Sequence, residues 1–176
     1  MPASKKSREA IGSIVLDPSA GLSGDMMLGV LFALGADRRE VARRVATLPG
    51  LEKFRIVAGR VKRRGVVAIR ARVECPKKAK HRDLKAILSM IRRSKLSRAA
   101  KIAASMPFKT LGEAEGKVHG VPSERVHFHE VGAVDSIVDI VGTAVALEML
   151  GFPRLYHRAC VLGSGTITFS HGTLPL

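Results

Sequence analysis

The segment spanning residues 137–150 constrains the fold more than any other, because it is apolar on nearly every side. Its only charged residues are Asp139 and Glu148. A helix without a polar face has to be buried by the rest of the chain, and this one is too short to cross a bilayer. The sequence therefore predicts a central buried helix, capped at its start by Asp135 or Ser136.

Further helices are predicted where apolar residues recur at helical spacing. They cover residues 26–34, 38–48 and 81–93, and another helix follows Ser97, which can cap it. Pro107 lies inside that last helix and is expected to kink or divide it before residue 118.

Strands are predicted near both ends and in the middle of the chain. Residues 54–61 and 66–75 alternate around Lys62-Arg63-Arg64-Gly65, which predicts an antiparallel hairpin. Residues 14–17 form a short strand before a glycine-rich loop, and residues 156–162 and 166–169 are expected to close the fold around G-S-G.

These elements predict an α/β fold. It combines a mixed sheet, a glycine-rich strand-loop-helix start, an antiparallel hairpin and the central buried helix. Residues 1–12 are expected to be a flexible tail and residues 13–176 a single domain.

The net charge of +15 is concentrated in the middle of the chain, where residues 36–101 hold 22 Lys and Arg against 5 Asp and Glu. A cluster on the predicted hairpin would suffice for non-specific phosphate binding; it consists of Arg60, Lys62, Arg63, Arg64, Arg70 and Arg72. However, aromatic residues make up only 4% of the chain, and it contains no Asn or Gln. Base stacking and adenine recognition are therefore poorly supported. A solvated face, or a dock for an anionic nucleotide or partner, fits better.

The two cysteines, Cys75 and Cys160, are far apart and form no C-x-x-C pattern. They predict neither a disulfide framework nor a zinc knuckle. The amino terminus lacks the apolar core of a signal peptide. A cytoplasmic protein without a membrane partner is expected.

Residues 126–139, V-H-F-H-E-V-G-A-V-D-S-I-V-D, place imidazoles and carboxylates directly before and within the apolar helix. On a strand His127 and His129 share one face, and on a helix Asp135 and Asp139 share another. Carboxylates beside a buried helix need a compensating cation or donor. Nitrogen and oxygen ligands suit nickel, manganese, iron or zinc in an open site. The alternative is a polar strand edge whose hydrogen bonds are satisfied.

A second candidate is the loop that joins the first strand to the first helix; it contains Asp17, Gly21, Ser23, Gly24 and Asp25. Glycines let the backbone approach a ligand, and the amides at a helix start attract negative charge. The pattern is neither a Walker A loop nor G-x-G-x-x-G. It predicts an anion or metal loop, with an ordinary turn as an equal alternative.

The remaining histidines differ in what their positions indicate. His81 opens a helix, where a structural role and a binding role are both open. His171 is bracketed by glycine-containing segments, which allow a side chain to be aimed into a cleft. His119, at a helix end, and His157, on a strand, are interpreted as structural.

Several motifs together resemble one family. They are D-P-S-A-G-L-S-G-D-M-M-L-G from Asp17, H-R-D-L from His81, E-A-E-G-K-V-H-G from Glu113, H-F-H-E-V-G-A-V-D-S-I-V-D-I-V-G from His127, and G-S-G…H-G-T-L-P from Gly163. From about residue 13 onward the chain resembles the amino-terminal half of the LarC family, the nickel insertion proteins of the nickel-pincer-nucleotide pathway.

The resemblance implies a cyclometallase, a nickel chelatase of the lyase class. It would place Ni²⁺ into pyridinium-3,5-bisthiocarboxylic acid mononucleotide to form the cofactor of lactate racemase and related enzymes. The implied leading metal ligands are His127, His129, Glu130 and Asp135, with Asp17, Asp25 and Asp139 as supporting carboxylates. Glu130 and Asp135 are also candidates for the catalytic base. Nucleotide binding is expected at Gly21, Ser23, Gly24, His81 and His171.

Family members usually continue well beyond the length of this chain. In them the CTP site, with Mn²⁺ or Mg²⁺, is attributed to a carboxy-terminal half, which is expected to be absent here through truncation or frameshifting. A homo-oligomer is left open. Two alternatives to nickel insertion are a basic nucleic-acid-binding or scaffold module and a metal-dependent hydrolase.

Overall fold

The structure is a computed structural model that describes residues 11–76, 82–126, 128, 131–161, 163–169 and 172–175. The helices in these ranges are α1 (Gly24–Ala33), α2 (Arg38–Val45), α3 (Leu84–Arg93), α4 (Arg98–His119) and α5 (Val134–Met149). The strands in the same ranges are β1 (Ser13–Leu16), β2 (Arg55–Arg63), β3 (Val66–Glu74), β4 (Arg154–His157), β5 (Thr166–Phe169) and β6 (Gly172–Pro175).

Helix α5 occupies the centre of the core, as its apolar sequence predicts. Val134, Ile137, Val138, Val141 and Val145 are all fully buried. The helix packs against α1, α2 and α4, so three helices cover the faces that its sequence could not expose to water.

The predicted cap of α5 is wrong, because the helix begins earlier. Its first residue is Val134 and its N-cap is Ala133, whose side chain makes no capping hydrogen bond. Val134, the first residue of the helix, is completely buried. Asp135 instead lies in the first turn, where its Oδ1 accepts a hydrogen bond from the backbone N–H of Ser136 at 2.9 Å. An acidic residue there is stabilised by the helix dipole.

The α/β prediction is confirmed, with both parallel and antiparallel strand pairs. The described strands form three two-stranded sheets. Strand β1 pairs in parallel with β4, and β5 pairs antiparallel with β6. The strand predicted at residues 156–162 lies earlier, at Arg154–His157, and it pairs with β1 instead of closing onto β5.

The predicted hairpin is present and its turn is shorter than expected. Strands β2 and β3 pair from Arg55 with Glu74 to Arg63 with Val66, leaving only Arg64 and Gly65 in the turn. Both turn residues have positive φ, 47° and 84°. Two left-handed residues form the tight turn whose twist matches that of paired strands, so the strands continue through Lys62 and Arg63.

Side-chain caps fix the starts of α3 and α4. The Asp83 side chain accepts the backbone N–H of Ala86, and the Ser97 side chain accepts that of Ala100, as predicted for Ser97. Pro107 does not divide α4, which is one helix of 22 residues ending at Gly120 in the left-handed conformation. The predicted start of α3 at residue 81 is wrong, because Asp83 is extended and caps a helix that begins at Leu84.

Glu148 links the central helix α5 to two of the helices packed around it. From α5 its carboxylate accepts hydrogen bonds from the Arg44 guanidinium on α2 and from the Ser97 hydroxyl at the start of α4. Burial tends to raise the pKa of Glu148, but these donors outweigh that effect and hold the pKa below its usual value. The sequence offers no local sign of this junction.

Among the described residues, none of the helices combines the length and the hydropathy needed to cross a membrane.

Candidate functional site

Three carboxylates meet where α1 and α5 begin. Asp25 lies in the first turn of α1 and Asp135 in the first turn of α5. Asp139 follows Asp135 by one helical turn, so the two share a face of α5. The packing of α1 against α5 brings Asp25 within electrostatic range of Asp139.

The contact between Gly24 and Asp139 sets the distance between the two helices. A Cβ atom built on Gly24 would lie 2.6 Å from the Asp139 Cβ and 2.7 Å from its Oδ2. Real Cβ atoms do not approach that closely, so any larger residue at position 24 would have to push Asp139 or α1 aside. Glycine is required here by close approach.

Asp139 is the most electrostatically perturbed carboxyl of this group. Burial, together with the charges of Asp25 and Asp135, raises the pKa of Asp139 to about 7. Within the described part of the chain, Asp139 Oδ1 is buried and has no hydrogen-bond partner. An unsatisfied buried carboxylate oxygen is costly unless a cation or a donor completes its surroundings. Protonation of Asp139, a hydrogen-bond donor or a cation would each remove that cost.

The loop before α1 contributes to the same site through its last residues. The Ser23 hydroxyl donates to Asp25 Oδ1 at 2.5 Å, and the backbone N–H of Met26 donates to the same oxygen at 2.8 Å. These bonds hold the carboxylate of Asp25 close to the helix start. Gly21 supplies the turn, with φ of 88°, which a residue with a side chain rarely adopts.

A cavity of about 760 Å³ opens beside Asp139, between the α1 start and α4. Its wall is mainly apolar with a few polar groups, and it includes Ser23, Gly24, Met27, Met106, Thr110 and Thr143. A carboxylate at the edge of a mostly apolar cavity is suited to a ligand that combines positive charge with an apolar surface.

Asp17 is separated from the three carboxylates. Its Oδ1 accepts the backbone N–H of Ser19 at 3.2 Å, and its Oδ2 lies 3.9 Å from an Arg158 guanidinium nitrogen. The first contact is typical of a turn, and the second is an exposed ion pair of little energetic weight. Asp17 thus stabilises a turn, and its assignment as a supporting metal ligand remains a prediction.

The remaining predicted site residues lie outside the described residues; they are His81, His127, His129, Glu130 and His171. Their neighbours Val126 and Phe128 are described, and both are buried in the core. Within the described ranges, no group of three or more His, Cys, Asp or Glu side chains is arranged to hold a metal ion. Asp25, Asp135 and Asp139 are therefore close in space without forming a coordination shell by themselves.

Of the two histidines interpreted as structural, His157 fits that interpretation. Its Nδ1 lies 2.8 Å from the carbonyl oxygen of Arg158, on exposed strand β4. His119 is the last residue of α4.

Sequence reasoning missed Cys75. Its sulfur lies beside the start of α5, close to the backbone and the carboxylate of Asp135. Burial and the negative charges of Asp135 and Glu52 raise the pKa of the Cys75 thiol. No signal in one sequence could have revealed this neighbour of the carboxylates, because it is brought there by the end of β3.

Comparisons with known proteins agree with one another. The family model described as "Nickel insertion protein" matches residues 14–176. Three curated relatives share the name "Pyridinium-3,5-bisthiocarboxylic acid mononucleotide nickel insertion protein". The relative from Akkermansia muciniphila is 41% identical over 172 residues, covering 93% of this chain and 42% of the relative. The relative from Thermotoga petrophila is 40% identical, covering 93% and 43%. The relative from Staphylococcus epidermidis is 38% identical, covering 93% and 41%.

The chain therefore spans about two fifths of the length of these relatives. No solved structure matches it.

Proposed function

The chain belongs to the nickel insertion protein family, and we propose that it binds Ni²⁺ and delivers it to pyridinium-3,5-bisthiocarboxylic acid mononucleotide. The observation that carries this proposal is the buried, unpartnered Oδ1 of Asp139 beside Asp25 and Asp135. A divalent cation would satisfy that oxygen and reduce the repulsion among the three carboxylates. The substrate is the one that the relatives' names state.

The ligand set combines the histidine motif with these carboxylates. His127, His129, Glu130 and Asp135 supply nitrogen and oxygen ligands, and Asp17, Asp25 and Asp139 support them with negative charge. Imidazole and carboxylate bind Ni²⁺ without the thiolate ligands that would retain it most strongly. A site of this kind can give the ion up to a substrate that offers two sulfur ligands.

The reaction is a cyclometallation. Two thiocarboxylate sulfurs and one carbon of the pyridinium ring bond to Ni²⁺, and that ring carbon loses its proton to a base on the protein. Glu130 or Asp135 is the base, since each lies in the motif that also supplies ligands. Gly21, Ser23, Gly24, His81 and His171 surround the nucleotide. This assigns the chain to the nickel chelatases of the lyase class.

CTP, with Mn²⁺ or Mg²⁺, is a further participant in this proposal. Its site belongs to the part of the family's length that this chain does not match. In this proposal insertion uses that part of the family's length, while Ni²⁺ binding does not.

Calorimetric titration with Ni²⁺ tests the metal site. The wild-type chain is expected to bind near-stoichiometric Ni²⁺, and the double variant His127→Ala, His129→Ala is expected to lose this binding. The matched control is His119→Ala, His157→Ala, which also removes two imidazoles and should bind as the wild type does. Unchanged Ni²⁺ affinity in the His127→Ala, His129→Ala variant would show that the proposed nickel site is wrong.

Transfer is tested by mass spectrometry of the nucleotide after incubation with Ni²⁺-loaded protein, with and without CTP. The product gains nickel and loses the ring proton. If loaded protein together with the family's remaining length and CTP leaves the nucleotide unchanged, the insertion proposal fails while the nickel site stands.

A further inference from the structure

A groove of about 560 Å³ lies between α1 and the β2–β3 hairpin. Its two walls carry opposite charge. The wall from α1 includes Asp25, Met26 and Gly29, and the wall from the hairpin includes Arg63, Ala68 and Arg70. The groove shares Asp25 with the proposed metal site, and its other lining residues belong neither to that site nor to the cavity beside Asp139.

The groove lies where α1 approaches β3 very closely. A Cβ atom on Gly29 would lie only 2.6 Å from the backbone oxygen of Ile69. Gly29 follows Asp25 by one helical turn, about 6 Å along the helix axis, and Ile69 directly precedes Arg70. Asp25 therefore lies one helical turn from the point where α1 meets β3, and Arg70 lies beside that point.

Arg63 and Arg70 lie on one face of the hairpin. The antiparallel register pairs Arg63 with Val66 and Arg70 with Gly59. Paired residues, and residues two apart on a strand, leave the same face of a sheet. Both guanidinium groups are therefore available to a single ligand in the groove.

Arg63 and Arg70 have no acidic partner among the described residues, in contrast to two other arginines of the hairpin. Arg55 and Arg72, on the same hairpin, both form ion pairs with Glu74. No ion pair within the described part of the chain includes Arg63 or Arg70. Guanidinium groups without counter-ions suit a phosphate, which they bind through paired hydrogen bonds.

We propose that this groove binds the phosphate of the pyridinium mononucleotide through Arg63 and Arg70, with the pyridinium ring at the Asp25 end. This assignment rests on the proposed function, because it takes the substrate from it. The phosphate sets the orientation, because the reverse placement would put its negative charge against the carboxylate of Asp25. The two thiocarboxylates make the ring net anionic, so the ring is held near Asp25 and Asp139 by the Ni²⁺ of the proposed metal site and not by its own charge. The groove thereby holds the ring beside the site that holds the metal.

The test compares a pyridinium mononucleotide with its dephosphorylated form. Nicotinic acid mononucleotide and nicotinic acid riboside are titrated into the whole chain without nickel. The wild type should bind the mononucleotide at least about tenfold more tightly, because the riboside lacks the group that receives the charge-assisted hydrogen bonds. In Arg63→Ala, Arg70→Ala this preference should disappear.

The matched control is Arg60→Ala, Lys62→Ala, which removes two charges from the opposite face of the same hairpin. It should keep the preference. Equal loss in both variants, or equal binding of the two ligands by the wild type, would overturn the proposal. Displacement of the mononucleotide from the groove by a short RNA at equal phosphate concentration would also overturn it, in favour of a nucleic-acid face.

Titration of Ni²⁺ into Arg63→Ala, Arg70→Ala separates this proposal from the one on which it rests. If Ni²⁺ binding is intact but neither the wild type nor the variants prefer the mononucleotide to the riboside, the groove assignment alone is wrong. Loss of Ni²⁺ binding in the wild type, with the phosphate preference retained, overturns the nickel site alone. A thermal melt of each variant verifies that it is folded.

Discussion

Gly24 and Asp139 are in direct contact across two helices, with no room between them for a side chain at position 24. The nearest approach of an added Cβ would be 2.6 Å, to the Cβ of Asp139. This contact joins the end of the glycine-rich loop to the only described carboxylate that has a buried, unpartnered oxygen.

Gly24→Ala is therefore expected to destabilise the protein by about 1–3 kcal/mol, the usual cost of overpacking. Alanine favours a helix more than glycine does, so propensity alone predicts the opposite sign. Urea unfolding measures the difference. Gly12→Ala is the control, because nothing lies within 4 Å of a Cβ there. A more stable Gly24→Ala variant would contradict the contact.

Asp139→Asn is expected to stabilise the metal-free protein at pH 8 and to leave its stability nearly unchanged at pH 3.5. The folded-state pKa of Asp139 is raised to about 7 from an ordinary value of 3.8. Between these two values the unfolded state ionises first, so the wild type loses stability as the pH rises. Melting temperatures of both proteins across this range, with a chelator present, measure the effect. If the difference in melting temperature between the two proteins did not change with pH, the ionisation of Asp139 would not be its cause.

Glu148→Gln is expected to destabilise the protein by about 1 kcal/mol near pH 7, since it weakens the charge-assisted bonds from Arg44 and Ser97. The pKa of Glu148 is lowered in the folded state. Its stabilisation is thus present above the unfolded pKa, near 4.5, and is lost as the pH falls through the folded value. Denaturant unfolding at pH 7 and at low pH tests this.

The control for Glu148 is Glu40→Gln. Glu40 forms an exposed ion pair with Arg43 on the same helix, and its loss should change the unfolding midpoint little. If Glu40→Gln lowered the free energy of unfolding as much as Glu148→Gln does, the three-helix junction would have no special role in stability.

Pro107→Ala is expected to raise stability by about 1 kcal/mol or more. Helix α4 continues through Pro107, where proline has no N–H to donate to the carbonyl of Ala103 and its ring crowds the preceding turn. Alanine restores the hydrogen bond. Chemical unfolding measures the gain, with the exposed Lys109→Ala on the same helix as a near-neutral control. A lower midpoint for Pro107→Ala would mean that the proline ring stabilises the wall of the cavity beside Asp139, which Pro107 also lines.

Local patterns predicted the elements well and their partners poorly. The hairpin and α5 follow from alternation and from continuous apolar sequence, both of which act over a few residues. The pairing of β1 with β4, and the start of α5 at Val134, depend on contacts made across the whole fold. A continuous α4 despite Pro107 is likewise a case in which packing outweighs a local rule.

The candidate site shows the same division. Asp25 and Asp139 were each predicted from their own motif, and the structure places them in one electrostatic cluster. The need for glycine at position 24 and the position of Cys75 beside Asp135 arise only from three-dimensional packing. The assignments of His127, His129 and Glu130 remain predictions.

The pairing of β1 with β4 also has a consequence for biosynthesis. The strand that leads into the glycine-rich loop emerges from the ribosome early, while its partner, Arg154–His157, emerges only after all five described helices have been translated. Long-range strand pairing is slow because a long loop must first close. Asp25 and Asp139 lie on α1 and α5, the first and the last of these helices, so their two carboxylates also meet only after most of the chain has been made.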